Sequence, residues 1–227
     1  MLEVNRLHLL DCMEGMARFP DGWFDLAIVD PPYGINISNN IGRRTGDKKS
    51  RYAPIRWDSQ PPSLVYFAEL RRVARNLVIW GANHFIERIG ATASQWIVWD
   101  KKFSEDVSFS SFELAYTTFS GADRMVSIHP DKRERIHPTQ KPVALYNWLL
   151  KNYAKPGDKI LDTHAGSASS LVACHRQGFD FVGFEIDAEY HRLASARLET
   201  EMAQPALFEE MRPPSARDGE LGFGGEA

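Results

Sequence analysis

Phe24-Asp25-Leu26-Ala27-Ile28-Val29-Asp30-Pro31-Pro32-Tyr33 is the stretch that decides the fold. Its first six residues, apolar except for Asp25, read as a buried strand of a parallel sheet. Two consecutive prolines cannot extend a central strand, because neither donates a ladder hydrogen bond. The strand therefore stops at Asp30. A stiff loop, headed by a carboxylate and tipped by a tyrosine, follows from its carboxyl end. Ligands of open α/β sheets bind at that end. An acceptor-only carboxylate, a rigid backbone and an aromatic face suit a flat, amino-bearing ring such as a nucleobase.

Working outward, Leu7–Leu10 reads as a strand ending at Asp11, and Met13–Phe19 as a short helix closed by Pro20-Asp21-Gly22. Residues 35–62 form a long polar, basic loop, the kind that is usually functional in a compact domain. Leu64–Ala74 is expected to be a helix and Leu77–Trp80 a strand ending at Gly81. Trp96–Trp99 and Phe112–Thr117 are two more expected strands, and residues 120–137 a polar, basic connection. Val143–Tyr153, Ser169–Gln177 and Ala188–Met202 are expected helices. Lys159–Leu161 is a strand ending at Asp162, and Phe181–Phe184 one ending at Glu185. No internal repeat is visible. Alternating βα units predict an α/β fold with a doubly wound, mostly parallel sheet. One domain is expected over residues 1–202, with a catalytic half to about residue 119 and a cofactor half from residue 137. Residues 203–227, with three prolines and four glycines in the last 25 positions, read as a flexible tail.

The chain has 227 residues, enough for one α/β domain with a good core. Its 27 Lys+Arg and 30 Asp+Glu give a formal charge of -3, which does not advertise a nucleic-acid binder. The distribution is more telling. Five acids and two bases in residues 203–227 account for the whole -3 and leave the rest neutral. Within that rest, Arg43, Arg44, Lys48, Lys49, Arg51 and Arg56 crowd one stretch beside the Asp30 loop, and Lys132, Arg133, Arg135 and Lys141 form a second cluster. The first cluster is expected to pair with the phosphates of double-stranded DNA. Two cysteines, Cys12 and Cys174, are too few for a disulfide scaffold and fit a reducing cytoplasm. No signal peptide and no apolar run long enough to cross a bilayer is expected.

Asp162-Thr163-His164-Ala165-Gly166-Ser167-Ala168-Ser169 follows a strand and opens a helix. Small residues there let a ligand approach the free N–H groups of the helix start. About 20 residues further on, a second strand ends in Glu185, an acid placed to accept both hydroxyls of a ribose. In His137-Pro138-Thr139-Gln140-Lys141-Pro142 the prolines fix an extended shape, Lys141 can pair with a carboxylate, and Thr139 and Gln140 offer hydrogen bonds. His129, His137 and His164 have no metal-ligand spacing, so no metal is expected.

In this order, Asp30–Tyr33, His137–Pro142, the Gly166 turn and Glu185 resemble the β class of amino-directed DNA methyltransferases. The likeness runs from about Leu7 to Leu198. Trp96–Lys101, Phe112–Thr117 and Arg135–Pro142 also resemble the short phage and prophage members. That resemblance implies a circularly permuted fold whose catalytic half precedes its S-adenosylmethionine half. It implies Asp30, Pro31, Pro32 and Tyr33 as catalytic residues. It assigns Asp11, Cys12, Asp30, His137, Thr139, Gln140, Lys141, Asp162, His164, Ala165, Gly166, Ser167, Glu185 and Ile186 to cofactor binding.

The implied reaction is methylation of N6 of an adenine flipped out of the duplex, since Asp at the first motif position usually goes with adenine and Ser with cytosine. Tyr33 would stack on the base. A homodimer and a bacterial or phage-borne cytoplasmic enzyme also follow from the family. Gln204-Pro205-Ala206-Leu207-Phe208 resembles peptides that dock on sliding clamps. The family's turn typically reads Asp-Pro-Phe-x-Gly-Ser-Gly-Thr. Here Thr163 and His164 replace the Pro and the aromatic, and Ala168 the second Gly, with its methyl expected to tighten the cofactor pocket. The alternatives are cytosine-N4 methylation, an RNA substrate, or a non-catalytic DNA-binding or partner subunit.

Overall fold

The computed structural model describes residues 1–37, 57–90, 95–103, 110–130 and 135–203. The six basic residues from Arg43 to Arg56, the pair Lys132 and Arg133, and the Gln204–Phe208 pentapeptide lie outside them. Among the described residues, eight strands form one sheet: β1 (Arg6–Leu9), β2 (Phe24–Val29), β3 (Ala74–Trp80), β4 (Gln95–Asp100), β5 (Phe112–Thr117), β6 (Arg124–Ser127), β7 (Lys159–Asp162) and β8 (Asp180–Glu185). Their spatial order is β1-β8-β7-β2-β3-β5-β4-β6. Only β5 runs against its neighbours, pairing antiparallel with β3 and β4. The first strand of the chain lies beside the last, with Leu9 opposite Glu185, and β2 lies beside β7, with Leu26 opposite Ile160. The two halves of the chain thus interleave in one sheet, and the strand ends at Asp11, Asp30, Asp162 and Glu185 share one edge.

Alternation along the strands divides the core into two layers. Leu26, Ile28, Val78 and Trp80 face α4 (Val143–Tyr153), α5 (Ser169–Gln177) and α6 (Ala188–Ala203), packing with Leu149, Leu171 and Leu198. Ala27, Val29, Leu77 and Ile79 face α1 (Cys12–Met16), α2 (Leu64–Val73) and α3 (Ile86–Ile89), packing with Met16, Phe67, Leu70 and Ile89. The helices start where sequence allows. Asp11 caps α1 by accepting from the Met13 N–H at 2.8 Å, and Ser63 caps α2 by accepting from Tyr66. Among the described residues, no helix is long and apolar enough to cross a membrane.

Three local expectations are corrected. β3 begins at Ala74, directly after α2, because Ala74 already pairs with Phe24 of β2. The connection expected over residues 120–137 contains β6, a four-residue edge strand paired only with β4. Its one buried side chain is Val126, so it carries little hydrophobic pattern. The helix expected over Met13–Phe19 is α1, Cys12–Met16, which the Asp11 cap starts one residue earlier and which ends before Ala17; α3, four residues long, is too short for periodicity to reveal.

Candidate active site

The strand ends β1, β8, β7 and β2 open into a cavity of about 810 Å³. Such a position, where strand order switches direction, is the usual ligand crevice of an open α/β sheet. Expected site residues Asp11, Cys12, Asp30–Tyr33, His137, Thr139–Lys141, His164–Ser167, Glu185 and Ile186 all line it. Asp162 does not. It is buried beneath the turn, accepting from the His164 N–H at 3.0 Å and from the Ser170 hydroxyl. Burial pushes its pKa up to about 7, although those two donors pull it down.

One end of the cavity is a network of charges around Asp30. Lys141 sits ahead of α4 and is almost fully buried. Its Nζ donates to Asp30 Oδ2 at 2.5 Å and to Glu113 Oε2 at 2.9 Å. Lys141, grouped with the cofactor residues by resemblance, therefore lies on the Asp30 carboxylate. The Tyr33 hydroxyl donates to Asp30 Oδ1 at 2.7 Å and lies 3.1 Å from Glu113 Oε2. Lys101, just past β4, pairs with Glu113 Oε1 at 2.7 Å. Burial raises the pKa of Asp30, Lys141 lowers it and Glu113 adds to the rise, leaving the carboxyl above its usual range. Burial also works to raise that of Glu113, but Lys141 and Lys101 outweigh it and hold Glu113 at about 2. Burial alone would lower Lys141, yet the two carboxylates raise it, so it stays an ammonium.

The loop after Pro32 is held by a residue that sequence reasoning missed. Asp58 is 3% exposed and lies in a 3-10 turn, Trp57–Ser59, beyond the basic stretch. Its Oδ1 accepts the N–H groups of Tyr33 at 2.7 Å and Gly34 at 2.9 Å, and its Oδ2 accepts that of Ile37 at 2.9 Å. Its carbonyl accepts the Asn36 N–H at 3.0 Å. Asp58 resembles an ordinary loop acid in sequence, and only its 24-residue separation from Gly34 closed in space reveals it. On the other side, Gly81 terminates β3 at φ +68°, and a Cβ there would come within 2.0 Å of the Tyr33 ring. The Tyr33 ring stacks on His84, with centroids 5.1 Å apart and an interplanar angle of 17°. His84 is exposed, so this face of the tyrosine is covered by a side chain at the cavity wall.

The opposite end is built from backbone. Glu185 accepts from the Gly166 N–H at 2.9 Å and from the Asp187 N–H at 2.8 Å, one on each oxygen. A carboxylate has about four acceptor sites, so it retains capacity for a ligand. Burial holds the Glu185 pKa up. His137 packs edge-on against Tyr190 at 4.4 Å and stacks on Trp57 at 5.4 Å. Burial, with Arg135 and Lys141 adding, holds its pKa down at about 4. Gln140 Oε1 accepts the Ile136 N–H at 3.0 Å and closes the turn carrying His137. His164, in the family's aromatic position, is brought to about 4 by burial. Its Nδ1 lies 2.9 Å from the Thr163 hydroxyl. The Cys12 thiol, 4.0 Å from His164, is pushed up to about 12 by burial and stays protonated.

Ala168 corrects one expectation. It adopts φ +57°, in the left-handed region that favours glycine, but its methyl is wholly buried in the core under α5. It is absent from the cavity wall and does not narrow the pocket.

Residues 98–196 match the family model of N6/N4 methyltransferases described as DNA methylase. The chain is 28% identical over 225 residues to the Escherichia coli (strain K12) protein named "Putative methylase YubD", covering 91% of this chain and 96% of that protein. It is 23% identical over 236 residues to the type II methyltransferase M2.MboI of Moraxella bovis, covering 82% and 85%. Among solved structures, an M1.HpyAVI–SAM complex superposes with a TM-score of 0.58 at 21% identity, covering 85% of this chain and 98% of that one. The cytosine-N4-specific PvuII DNA methyltransferase superposes equally well, at 0.58 and 10% identity, covering 86% and 90%. The fold is that of these methyltransferases, one of which is specific for N4 of cytosine.

Proposed function

We propose that this chain is an S-adenosylmethionine-dependent DNA methyltransferase that methylates an exocyclic amine, and that the amine is N6 of adenine. The observation that carries the reading is the placement of Asp30, on a proline-stiffened loop, in one cavity with the Gly166 turn and Glu185. The residues present fit the cofactor. Glu185 has acceptor capacity for the ribose hydroxyls, the small residues Ala165–Ser167 let a ligand come close to the turn at the start of α5, and Asp11 and Cys12 flank the neighbouring strand end. When bound, the cofactor supplies an activated methyl group on a sulfonium.

The protein's own contribution lies around the amine. The lone pair of an aromatic amine is delocalised into its ring, so it is a weak nucleophile. Asp30 and the carbonyl of Pro31 accept its two N–H bonds, which favours the tetrahedral nitrogen and the positive charge that develops on it. Asp30 then takes the released proton. Because its pKa is raised, mainly by burial, Asp30 is a better proton acceptor than an exposed aspartate. Tyr33 holds Asp30 through its hydroxyl, and the base reaches this end of the cavity only after leaving the duplex.

Aspartate at position 30 favours adenine over cytosine. The test is transfer of labelled methyl groups to unmethylated genomic DNA, followed by nucleoside analysis. N6-methyladenine is expected. N4-methylcytosine alone would correct the base and keep the reaction class, and transfer to RNA in preference to DNA would overturn the substrate.

A further inference from the structure

The Asp30 carboxylate that is to receive a developing cation already holds one. The Lys141 ammonium lies 2.5 Å from Oδ2, 5.5 Å from the Trp80 ring centre and 5.7 Å from that of Tyr33. Taken as a pair, Asp30 and Lys141 are neutral, and a second positive charge arriving at Asp30 meets the ammonium across the carboxylate. In a partly dry pocket that opposition is strong. Glu113, which lies in the Phe112–Thr117 stretch but has no role assigned by the resemblance, changes the sum. It lies on β5, the strand that runs against the others, and shares Lys141 at 2.9 Å. Its second oxygen is turned away, towards Lys101.

We propose that Glu113 is a positioning residue for the methyl-transfer reaction, acting as the second counter-ion of Lys141 so that Asp30 presents net negative charge to the amine. The inference rests on the reading of Asp30 as the group that accepts that amine. Two carboxylates against one buried ammonium leave the inner trio with one negative charge. Lys101 offsets it only from the outer oxygen of Glu113, beside the Ser110 carbonyl and over Trp99 at 5.5 Å. The Tyr33 hydroxyl ties the arrangement together. It has one proton to give and two carboxylate oxygens within reach, while Lys141 donates to its oxygen at 3.2 Å. Glu113 and Asp30 keep 20% and 18% of their side chains exposed, which opens both to the cavity.

Among the described residues, the charged and titratable groups around Asp30 give clear expected signs. Tyr33 faces it from its own loop, Glu113 from β5, Lys141 and Tyr146 from the α4 side, Asp162 from β7 and Tyr66 from α2. Of these, Lys141 and the Tyr33 hydroxyl lower its pKa and Glu113 raises it. Removing the Glu113 charge leaves Lys141 to Asp30 alone, which lowers the Asp30 pKa and weakens its hold on the amine. Removing Lys141 does the reverse.

The test is the pH profile of kcat/KM on DNA for the parent, Glu113→Gln and Lys141→Met, with S-adenosylmethionine affinity measured by calorimetry. Glu113→Gln is expected to lower kcat roughly 10–100-fold, leave cofactor affinity within about threefold and shift the acid limb to lower pH. Lys141→Met is expected to shift that limb to higher pH, and the double variant to return it towards the parent. An unmoved limb in Glu113→Gln, or equal shifts of one sign in both single variants, would overturn the proposal. Should Glu113→Gln fail to fold, Lys101→Met gives the same test with an upward shift expected, and no shift would overturn it. Asp30→Asn run alongside separates the two levels. If it keeps its activity, the reading of Asp30 fails. If it is inactive and Glu113→Gln leaves the limb unmoved, only the role of Glu113 fails.

Discussion

The two ends of the cavity are made in different ways. Around Asp30, side chains from four separate segments hold one another: Tyr33, Lys141, Glu113 and Lys101, with Asp58 fixing the loop backbone. Around Gly166, the contacts are chiefly backbone N–H groups meeting the single side chain of Glu185. A site that must stabilise charge at one atom needs ionised side chains at fixed distances. A site that only has to bind can use the backbone, which is present whatever the side chain. This explains how Thr163, His164 and Ala168 depart from the family's turn while its course from β7 into α5 is kept. The charged end has no such freedom.

Substitutions can break that contrast. Among the residues that support Asp30, the largest effect is expected at Gly81→Ala. The left-handed backbone costs about 1–2 kcal/mol for alanine, and the new methyl would overlap the Tyr33 ring. Methyl transfer should fall at least ~100-fold, since small misplacements of a positioned group carry that penalty. Near-parental kcat would show that the Tyr33 position is not critical. Asp58→Asn comes next. It removes the charge that accepts three backbone N–H groups, and bonds to a charged acceptor are worth about 1.5–3 kcal/mol each. A drop in kcat of roughly 10–100-fold is expected, with cofactor affinity little changed. Equal losses in kcat and in cofactor binding would mean that both ends depend on it.

His164→Phe probes the other end through pH. Burial depresses the His164 pKa to about 4, below an unfolded value near 6.5. Its contribution to stability is therefore full above pH 6.5 and lost as pH falls towards 4. His137 acts in the same window, while Asp162, raised to about 7, favours the fold as pH falls. The difference between variant and parent cancels those two. Urea unfolding between pH 7 and 4.5 should show a shallower acid loss in His164→Phe, and identical slopes would place the imidazole in contact with solvent. The smallest effect is expected for Ala168→Gly. Relief of about 1–2 kcal/mol of backbone strain is offset by about 0.4–1 kcal/mol of chain entropy and about 0.8 kcal/mol for the buried methyl. The melting temperature should move by less than about 2 °C, and cofactor affinity by less than about twofold, because the methyl faces the core. A tenfold change in affinity would return Ala168 to the pocket.

The sequence made the contrast only half visible. The run Phe24–Val29 closed by two prolines announces a buried strand and a stiff loop, and small residues between Asp162 and Ser169 announce a helix start open to a ligand. Both are local signals, carried by neighbouring residues. Asp58 and Glu113 were not legible, because their partners lie at least 21 and 12 positions away and become neighbours only through the fold. Lys141 was legible as a pairing cation but not as the partner of Asp30, since β2 and the start of α4 are distant in the chain. The strand β6 was hidden for a different reason: one buried residue in four leaves no alternation to detect.

The most direct measurement is the single-turnover rate of methyl transfer by Asp30→Ala, with DNA and S-adenosylmethionine both saturating. The account predicts a loss on the order of 10²–10³-fold or more, with the unfolding midpoint close to that of the parent. A rate within tenfold of the parent would contradict it, because the charged end of the cavity would then be doing no chemistry at the amine.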